Sequence, residues 1–569
     1  HITAGALMMT AKISKQSLPV LLCSCFWLSA CGAENGQPAS VDSLFTGGDA
    51  ATHVVGSDAD SGPPSKPGAA KVYLHDPTTD NNQTSEVILT PPTTDDGTLI
   101  GPYASVNNCL NETGGLSMES LGFTFGALCK ETPTVKPGPD GSYLHVLPPE
   151  DTSDPNDGFA EVMMYHHIHA IHDYFKGTHG LTDLDYPLPA LVNLNLWFDP
   201  EVAAKQGLEG GWVGYPNAAF MPPKGFTNFQ LPEREEGYII FGQYKDLDLS
   251  YDATVIYHEY THAMVGTTRL SGLFADKHGL NNEPGAMNEA FADYFAATML
   301  NHPVIGTYGI AFAGDHLVRD LAVTRRCPED LTTEIHADGR IFASALWAIR
   351  QQVGAGFADS VFLRALQGFT NSTGFEAAAL AIVAEAELED FDRSEQMLLI
   401  FKKQGIVGCL RATELQTWQA QNDKDKARFT IEGSKRVGGT FSYGVPAYKQ
   451  WKLGVPFGTT AVTIRWRAES KGSLNNPNLR LYIAHDEPVL IATTVGGGIS
   501  AAGFATPEPD PTQKGWQSIT LSGACLPKVG TAWMLLTNFG VEPAQIDEIE
   551  VKTHQVVPAK DVNLALCKP

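Results

Sequence analysis

The feature that most constrains this 569-residue chain is the five-residue run HEYTH at 258–262. Residues four apart lie on one face of a helix, so His258 and His262 would direct two imidazole rings at one ion, with zinc–nitrogen distances of about 2.0–2.1 Å. Glu259 stands beside them, where a carboxylate can act as general base toward an activated water. The run occurs by chance in many proteins, so a metal site also requires a third ligand.

The segment 283–293 (EPGAMNEAFAD) offers that ligand. Pro284 suits the first turn of a helix, and Glu289 and Asp293 then lie on one helical face. We predict that Glu289 is the third metal ligand and that Asp293 accepts a hydrogen bond from the far nitrogen of a ligating histidine. Apolar neighbours such as Phe291 favour a buried setting; standing alone, the segment would suggest two carboxylates on a solvated face.

Charge and the first 31 residues indicate the compartment. The formal net charge of −25 argues against nucleic acid as a partner, because such a partner needs a basic surface. Residues 8–31 have the pattern of an export signal, in which Lys12 and Lys15 precede an apolar run. The run ends in LSAC, which resembles a bacterial lipobox and implies cleavage before Cys31 and a lipid anchor in the envelope or at the cell surface. An ordinary secretory signal is the alternative, and residues 1–7 are interpreted as upstream sequence.

Six cysteines follow residue 31, and an even number suits an oxidising compartment. Six cysteines allow fifteen connectivities. Proximity in the sequence suggests Cys109 with Cys129 and Cys525 with Cys567, which leaves Cys327 with Cys409. Residues 32–70 are rich in small and polar residues, so we expect a flexible tether there.

A helix is predicted over residues 158–175, and it is rich in histidine. Its histidines drift around the helix in three-residue steps, and the segment must also bury apolar side chains. We therefore interpret them as packed or solvated residues on a structural helix rather than as a metal cluster. They are His166, His167, His169 and His172.

Strands are predicted at 190–198, 217–220 and 238–242. The strand at 217–220 is a candidate edge for binding an extended peptide through Asn217 and Ala218, with a packing role as the alternative. After these strands, Ser250 or Asp252 is expected to cap the HEYTH helix, and Gly266 to end it.

At these residues a family resemblance becomes plain. HEYTH followed by GAMNEAFADYF resembles the gluzincin metallopeptidases, with a spacing closer to the fungalysin group, peptidase family M36, than to thermolysin. The stretches 157–175, 246–265 and 334–350 fit the same group, and the resemblance spans about 70–405. It implies an α+β peptidase domain with a β-rich N-lobe, a helical C-lobe and a zinc ion between them.

The same resemblance gives His336 a role. In these families the matching histidine donates a hydrogen bond to the oxyanion of the tetrahedral intermediate, whereas a lone histidine at a helix start would otherwise be read as a cap or surface residue. Thermolysin-like enzymes also place a tyrosine shortly after the zinc helix as a second oxyanion donor. Residues 271–279 contain none, so that role is unassigned.

The remaining sequence sets the domain boundaries. Alternating apolar runs after residue 429 indicate an all-β sandwich. It resembles the accessory domains of secreted bacterial peptidases. Its role could be that of a binding module or of a solubility and folding aid. The predicted divisions are 1–31 (upstream residues and signal), 32–70 (tether), 71–412 (zinc peptidase domain), 413–428 (linker) and 429–569 (sandwich and tail).

These observations predict a zinc endopeptidase in which His258, His262 and Glu289 hold the ion, Glu259 is the general base and His336 stabilises the oxyanion. The alternative is a lipid-anchored binding or adhesion protein with a degenerate peptidase scaffold, which the missing tyrosine motivates. Calcium is a further candidate ligand. It would bind the acidic cluster Asp246, Asp248 and Asp252, with a solvated loop as the other interpretation.

Overall fold

The computed structural model describes most of the chain from residue 67 to residue 555. The described ranges are 67–110, 118–120, 123–128, 130–205, 210–215, 217–223, 236–244, 247–280, 282–309, 318–415, 429–433, 435–437, 441–470, 477–491, 499–501, 503–509, 514–527 and 530–555. The predicted export signal with Cys31 and nearly all of the tether therefore lie outside the described residues.

The N-terminal half is built around one mixed sheet. Its strands and the short hairpins that follow are β1 (Ala69–Val72), β2 (Ser85–Ile88), β3 (Ala104–Leu110), β4 (Met118–Ser120), β5 (Phe123–Leu128), β6 (Lys130–Thr132), β7 (Leu188–Phe198), β8 (Gly211–Gly214), β9 (Ala218–Met221), β10 (Tyr238–Tyr244), β11 (Leu247–Asp248), β12 (Ala275–Asp276), β13 (Gly279–Leu280), β14 (Val304–Ile305) and β15 (Arg319–Asp320). β1 begins inside the segment predicted as tether.

The sheet has nine strands, with the order β11-β10-β7-β3-β6 and four further strands joined to β5, β7 and β10. The central strand β7 pairs in parallel with β3 and β10. Its residues 191–196 are all buried, as expected for a strand covered on both faces. β9 pairs antiparallel with β10 and with no other described strand, so it forms an edge.

Helices supply the rest of the first 405 residues. They are α1 (Gly158–Asp173), α2 (Pro200–Lys205), α3 (Ala253–Gly266), α4 (Glu283–Leu300), α5 (Ile335–Val353), α6 (Ala355–Gln367), α7 (Phe375–Glu387) and α8 (Phe391–Lys403). Among helices in the described part of the chain, none is long and apolar enough to cross a membrane. The presence of both helices and sheets confirms the α+β class, while the division into two lobes stays an interpretation.

Local sequence explains where the helices that matter most begin and end. The Asp252 carboxylate accepts hydrogen bonds from the backbone N–H of Thr254 and Val255, which caps α3 as predicted. α4 has Pro284 in its first turn and ends at Asn301 in the left-handed conformation, with φ at 49°. α5 begins at Glu334, whose side chain accepts from two backbone N–H groups of the first turn.

A close approach of α4 and α5 brings distant parts of the chain together. A side chain on Gly339 of α5 would lie 2.8 Å from the Ala286 carbonyl oxygen and 3.1 Å from Cβ of Glu289, both on α4. Because only glycine fits there, the two helices pack backbone to backbone. His336, one turn earlier on α5, is thereby held next to Glu289.

The disulfide Cys327–Cys409 confirms one predicted pair, and it joins the segment before α5 to the end of the helical region. Cys129 and Cys567, the predicted partners of the other two pairs, lie outside the described residues. Those two pairs stay predictions.

The C-terminal region consists of strands. They are β16 (Ala412–Leu415), β17 (Phe429–Ile431), β18 (Lys435–Val437), β19 (Phe441–Tyr443), β20 (Val445–Pro446), β21 (Gln450–Val455), β22 (Ala461–Ser470), β23 (Leu479–His485), β24 (Leu490–Ile491), β25 (Ile499–Ser500), β26 (Gly503–Ala505), β27 (Glu508–Pro509), β28 (Trp516–Ser522), β29 (Gly530–Asn538) and β30 (Ala544–His554). They form a six-stranded sheet around β29, a five-stranded sheet around β22 and two small hairpins.

β22 shows the alternation that led to the strand prediction, with every second residue from Val462 to Ala468 buried. Trp466 of β22 packs edge-on against Trp451 of β21, with ring centroids 5.4 Å apart. The segment predicted as a linker, 413–428, begins with residues that are part of a strand. This strand, β16, pairs in parallel with β21 and belongs to the six-stranded sheet. The arrangement of the two sheets as a sandwich stays an interpretation.

Candidate metal centre

The two histidines of α3 point their Nε2 atoms at each other, 3.0 Å apart. Their Nδ1 atoms both face acceptors: His258 Nδ1 lies 2.9 Å from Asp293 Oδ1, and His262 Nδ1 is hydrogen-bonded to Asn288 Oδ1. In a neutral imidazole whose Nδ1 faces an acceptor, that nitrogen carries the proton, so each Nε2 then presents a lone pair. Two lone pairs at this separation repel unless a cation lies between them.

The Glu289 carboxylate completes the cluster. Its Oε2 lies 3.3 Å from His258 Nε2 and 3.6 Å from His262 Nε2. This oxygen is buried and accepts no hydrogen bond from the described residues. Tetrahedral zinc with ligands at 2.0–2.2 Å separates neighbouring ligand atoms by about 3.3 Å, so the three atoms fit zinc.

Electrostatics agree with an anionic glutamate. Burial raises the pKa of Glu289, but the nearby His336 and His262 rings outweigh burial and hold that pKa well below its usual range. Among the described residues, His258, His262 and Glu289 are the one group whose ligand atoms all lie within 4.8 Å of one another. The predicted ligands are therefore brought together.

A second row of side chains orients the cluster, and part of it was missed by sequence reasoning. Asp293 was predicted and lies behind His258. Asn288 was missed, although it stands next to Glu289; it accepts from His262, and its amide nitrogen donates to the Leu270 carbonyl oxygen. Arg319, whose Nε is 3.3 Å from Asp293 Oδ1, was also missed because no motif spacing links residue 319 to α4.

Glu259 is held by the edge strand β9. Its Oε2 accepts a hydrogen bond of 2.8 Å from the backbone N–H of Phe220, which ties the predicted base to the sheet. In an antiparallel strand, alternate residues direct their backbone groups to the same side, so the backbone of Ala218 faces the same way as that of Phe220. Asn217 differs, since its carbonyl oxygen accepts from Gly242 N of β10 at 3.0 Å. Of the two predicted substrate contacts, Ala218 thus presents its backbone to the side of the metal cluster.

His336 lies between two carboxylates. Its Nε2 is 3.4 Å from Glu289 Oε2, and its Nδ1 is 2.7 Å from Glu334 Oε1. Burial lowers the pKa of His336, but the charges of Glu289 and Glu334 raise it by more than burial lowers it, so the net shift is upward. A ring that is protonated on both nitrogens can donate from Nε2 toward the site while Glu334 holds its orientation. Glu334 was not singled out from the sequence.

The histidines of α1 are packed, in agreement with the interpretation made from their spacing. His167 bonds to Tyr257 Oη at 2.8 Å and to the Tyr73 carbonyl oxygen at 2.9 Å. His169 bonds to the Tyr165 carbonyl oxygen, and His172 to the Asp185 carboxylate. No two of these bonds share a partner, so the rings do not converge.

The acidic cluster considered for calcium is not a solvated loop. Asp248 and Asp252 are fully buried, and each accepts backbone N–H groups of the turn or helix that follows it. Burial, reinforced by the nearby Asp76, raises the pKa of Asp252 to about 7. The interpretation as a solvated loop is therefore wrong for these two residues, while Asp246 lies outside the described part of the chain.

Two imidazoles, a carboxylate and an adjacent potential base on packed helices form the kind of site found in metal-dependent hydrolases. Residues 151–374 match the family model described as Fungalysin metallopeptidase (M36), so this segment is similar to that family. Members of the family are zinc metallopeptidases, and they act on proteins or peptides.

Other comparisons add little. No curated protein matches the chain. A solved structure described as TmCBM61 in complex with beta-1,4-galactotriose is 12% identical and has a TM-score of 0.13, covering 25% of this chain and 91% of its own. A structure described as the GH115 4-O-methyl-alpha-glucuronidase BtGH115A is 8% identical with the same TM-score, covering 52% of this chain and 38% of its own. Likeness at this level carries no argument about fold or function.

Proposed function

We propose that this protein is a zinc-dependent endopeptidase in which His258, His262 and Glu289 hold the metal ion. The observation that carries the proposal is the convergence on one point of two imidazole Nε2 atoms and a carboxylate oxygen that accepts no hydrogen bond from the described residues. When bound, zinc supplies a Lewis acid that polarises a carbonyl group and activates a water. Asp293 is a positioning residue that keeps the His258 ring in the required tautomer.

In this proposal Glu259 is the general base, which takes a proton from the attacking water and delivers it to the leaving amine. The hydrogen bond from Phe220 N fixes the carboxylate. An extended substrate pairs with the outer edge of β9, where the backbone of Ala218 faces it and the side chain of Asn217 lies at the start of the strand. One strand thus positions both the substrate and the base.

His336 stabilises the oxyanion by donating from Nε2, with Glu334 holding the opposite side of the ring. Such a donor contributes about 3–4 kcal/mol to lowering the barrier, because it acts where charge develops. The second oxyanion donor stays unassigned.

The decisive variant is Glu259→Gln, which keeps the shape of the side chain and removes the base. We expect the purified protein to cleave casein, to stop when a zinc chelator is added, and to lose activity about a thousandfold or more in this variant with its zinc content retained. Glu387→Gln is the matched control, because Glu387 is exposed on α7.

Retained casein cleavage in Glu259→Gln would remove Glu259 from the mechanism. A zinc-loaded wild-type protein that cleaves no peptide would instead favour the binding or adhesion protein with a degenerate scaffold.

We further propose that the protein is exported and lipid-anchored through Cys31, and that residues 429–555 form an accessory β-sandwich. The lipobox-like LSAC run supports the anchor, and the two sheets around β22 and β29 support the sandwich. Incorporation of labelled palmitate that is lost in Cys31→Ser tests the anchor; labelling of both proteins would contradict it.

A further inference from the structure

Three arginines gather on the His336 side of the metal centre. Arg340 follows His336 by four residues on α5, so the two side chains share one face of the helix about 6 Å apart along its axis. Arg319 of β15 contacts Asp293. Arg325 approaches the same helix, since its backbone N–H lies 3.4 Å from Ser344 Oγ. We call Arg319, Arg325 and Arg340 the arginine cluster.

Several buried guanidinium nitrogens of these arginines have no aligned acceptor among the described residues. In the described part of the chain, no hydrogen-bond acceptor is aligned with Nε or Nη1 of Arg319, with Nε of Arg325 or with Nε of Arg340. The carboxylates nearest to them are loosely placed or shared: Asp330 Oδ1 is 3.8 Å from Arg325 Nη1, and Asp293 also serves His258. These nitrogens therefore have donor capacity that the described residues do not use.

Mutual repulsion is visible in Arg340. Burial, followed by the charges of Arg325 and Arg319, lowers the pKa of Arg340, and the carboxylates of Asp293 and Asp320 act against them. An anion bound among the three arginines would relieve the repulsion and satisfy the free donors.

We propose that Arg325 and Arg340, beside Arg319, form a subsite that takes a carboxylate group of the peptide substrate. A guanidinium fork matches a carboxylate in two parallel hydrogen bonds, which selects this group over a neutral amide. At about 3.3 Å per residue of extended peptide, the cluster lies roughly two residues from the bond that His336 and the metal would flank. The carboxylate belongs to an acidic side chain or to the peptide C-terminus.

This inference rests on the proposed peptidase function, so the test separates the two. Internally quenched peptides are made in pairs that differ only by Glu or Gln at one position, from three residues before the cleaved bond to three after it. Each pair is made with a free and with an amidated C-terminus. We expect kcat/KM to be about tenfold higher either for the Glu peptide at one position or for the peptide with a free C-terminus. The first result would identify an acidic side chain as the bound carboxylate, and the second would identify the peptide C-terminus.

The cluster is tested by Arg340→Gln and Arg325→Gln, in which that ratio should fall to about one. Arg340→Lys keeps the positive charge but lacks the forked guanidinium, so the kcat/KM ratio of the acidic to the neutral peptide should be intermediate. Such a partial preference would also show that a variant at this position still folds. Arg364→Gln is the matched control, because Arg364 lies on α6 and pairs with Glu385 and Glu389. Its ratio should equal that of the wild type.

Binding of the same peptides to the Glu259→Gln variant, measured by fluorescence anisotropy, gives a readout without catalysis. The acidic peptide should bind about tenfold more tightly, and Arg340→Gln should remove the difference. Equal binding and equal cleavage across every pair would overturn the subsite while leaving the peptidase function standing. Tight binding of acidic peptides without any cleavage by the wild type would overturn the peptidase function and leave the subsite.

Discussion

Helices α1 and α3 both carry histidines into the core, with opposite results. On α1, His167, His169 and His172 each bond to a separate partner, and their nitrogens diverge. On α3, His258 and His262 have their outer nitrogens occupied by Asp293 and Asn288, so both inner nitrogens are directed to one point. Whether the histidines of a helix can form a metal site therefore depends less on their number than on which residue is bonded to the outer nitrogen of each ring.

Carboxylates make the second difference between the two helices. Burial dominates on α1: it lowers the pKa of His166 to about 4 and that of His167 well below its usual range. Burial and the charge of Arg319 also lower the pKa of His258, but the adjacent carboxylates of Asp293 and Glu289 overcome both effects and raise it to about 9. Negative charge from α4 thus makes α3 a place for a cation, whereas α1 holds neutral rings.

The largest expected effect comes from removing one ring from each helix. His262→Ala should weaken zinc binding roughly a thousandfold or more, because it removes one of three protein ligands. His166→Ala should retain about one zinc per chain. Metal analysis after dialysis against a chelator compares the two, and activity on casein should follow the zinc content.

Zinc loss from the His166→Ala protein would break the comparison, since it would make α1 part of a metal site. Full zinc retention in His262→Ala would remove that histidine from the ligand set.

A smaller effect is expected for the stability of α1. His167→Ala removes two buried hydrogen bonds and leaves the Tyr73 carbonyl oxygen and the Tyr257 hydroxyl without a partner. We expect the free energy of unfolding to fall by about 3 kcal/mol in urea titrations, with zinc still bound at saturating metal.

Tyr257→Phe removes only one of the two bonds and should cost about 1 kcal/mol. If His167→Ala unfolds at the same urea concentration as the wild type, the packing role assigned to α1 is wrong.

How much of the metal centre the sequence predicts follows from the same contrast. His258, His262, Glu289 and Asp293 have helical spacings of four, and spacing alone places them on common faces. Asn288 sits next to Glu289, yet its role depends on the rotation of α4 against α3, which spacing does not report. Once Asp293 was assigned to His258, the sequence could have been searched for a side chain that accepts a hydrogen bond from His262, and Asn288 would have been a candidate.

Long-range contacts account for the rest. Glu334 contacts His336 two residues away, and both come to the centre because Gly339 lets α5 pack directly on α4. Arg319 reaches the centre because β15 lies against Asp293. Neither the packing of the two helices nor the position of β15 has a local sequence pattern. Several individual helices and strands were predictable from periodicity, and the α+β class followed from the family resemblance. Residues 413–415 of β16 were assigned to a linker, because the strand (ATEL) shows little apolar pattern and forms by pairing with β21.

The last effect concerns acid sensitivity, and it should come from α1. In the unfolded chain His166 titrates near its ordinary value of about 6.5, but burial, followed by the charge of His169, lowers its folded pKa to about 4. Between these values the unfolded state binds a proton that the native state does not, so stability should fall as pH drops from 6.5 to 4, by up to about 1.4 kcal/mol per pH unit for each such ring.

Urea titrations at pH 7, 6 and 5 measure how the free energy of unfolding depends on pH. They are made in the His262→Ala background, so that metal release does not contribute to the slope. There, His166→Gln should flatten the slope by about one proton, and substitution of the exposed His302 by Gln should leave it unchanged. An unaltered slope in His166→Gln would mean that the ring is protonated in the native state, and the contrast between a neutral α1 and a cation-holding α3 would then rest on geometry alone.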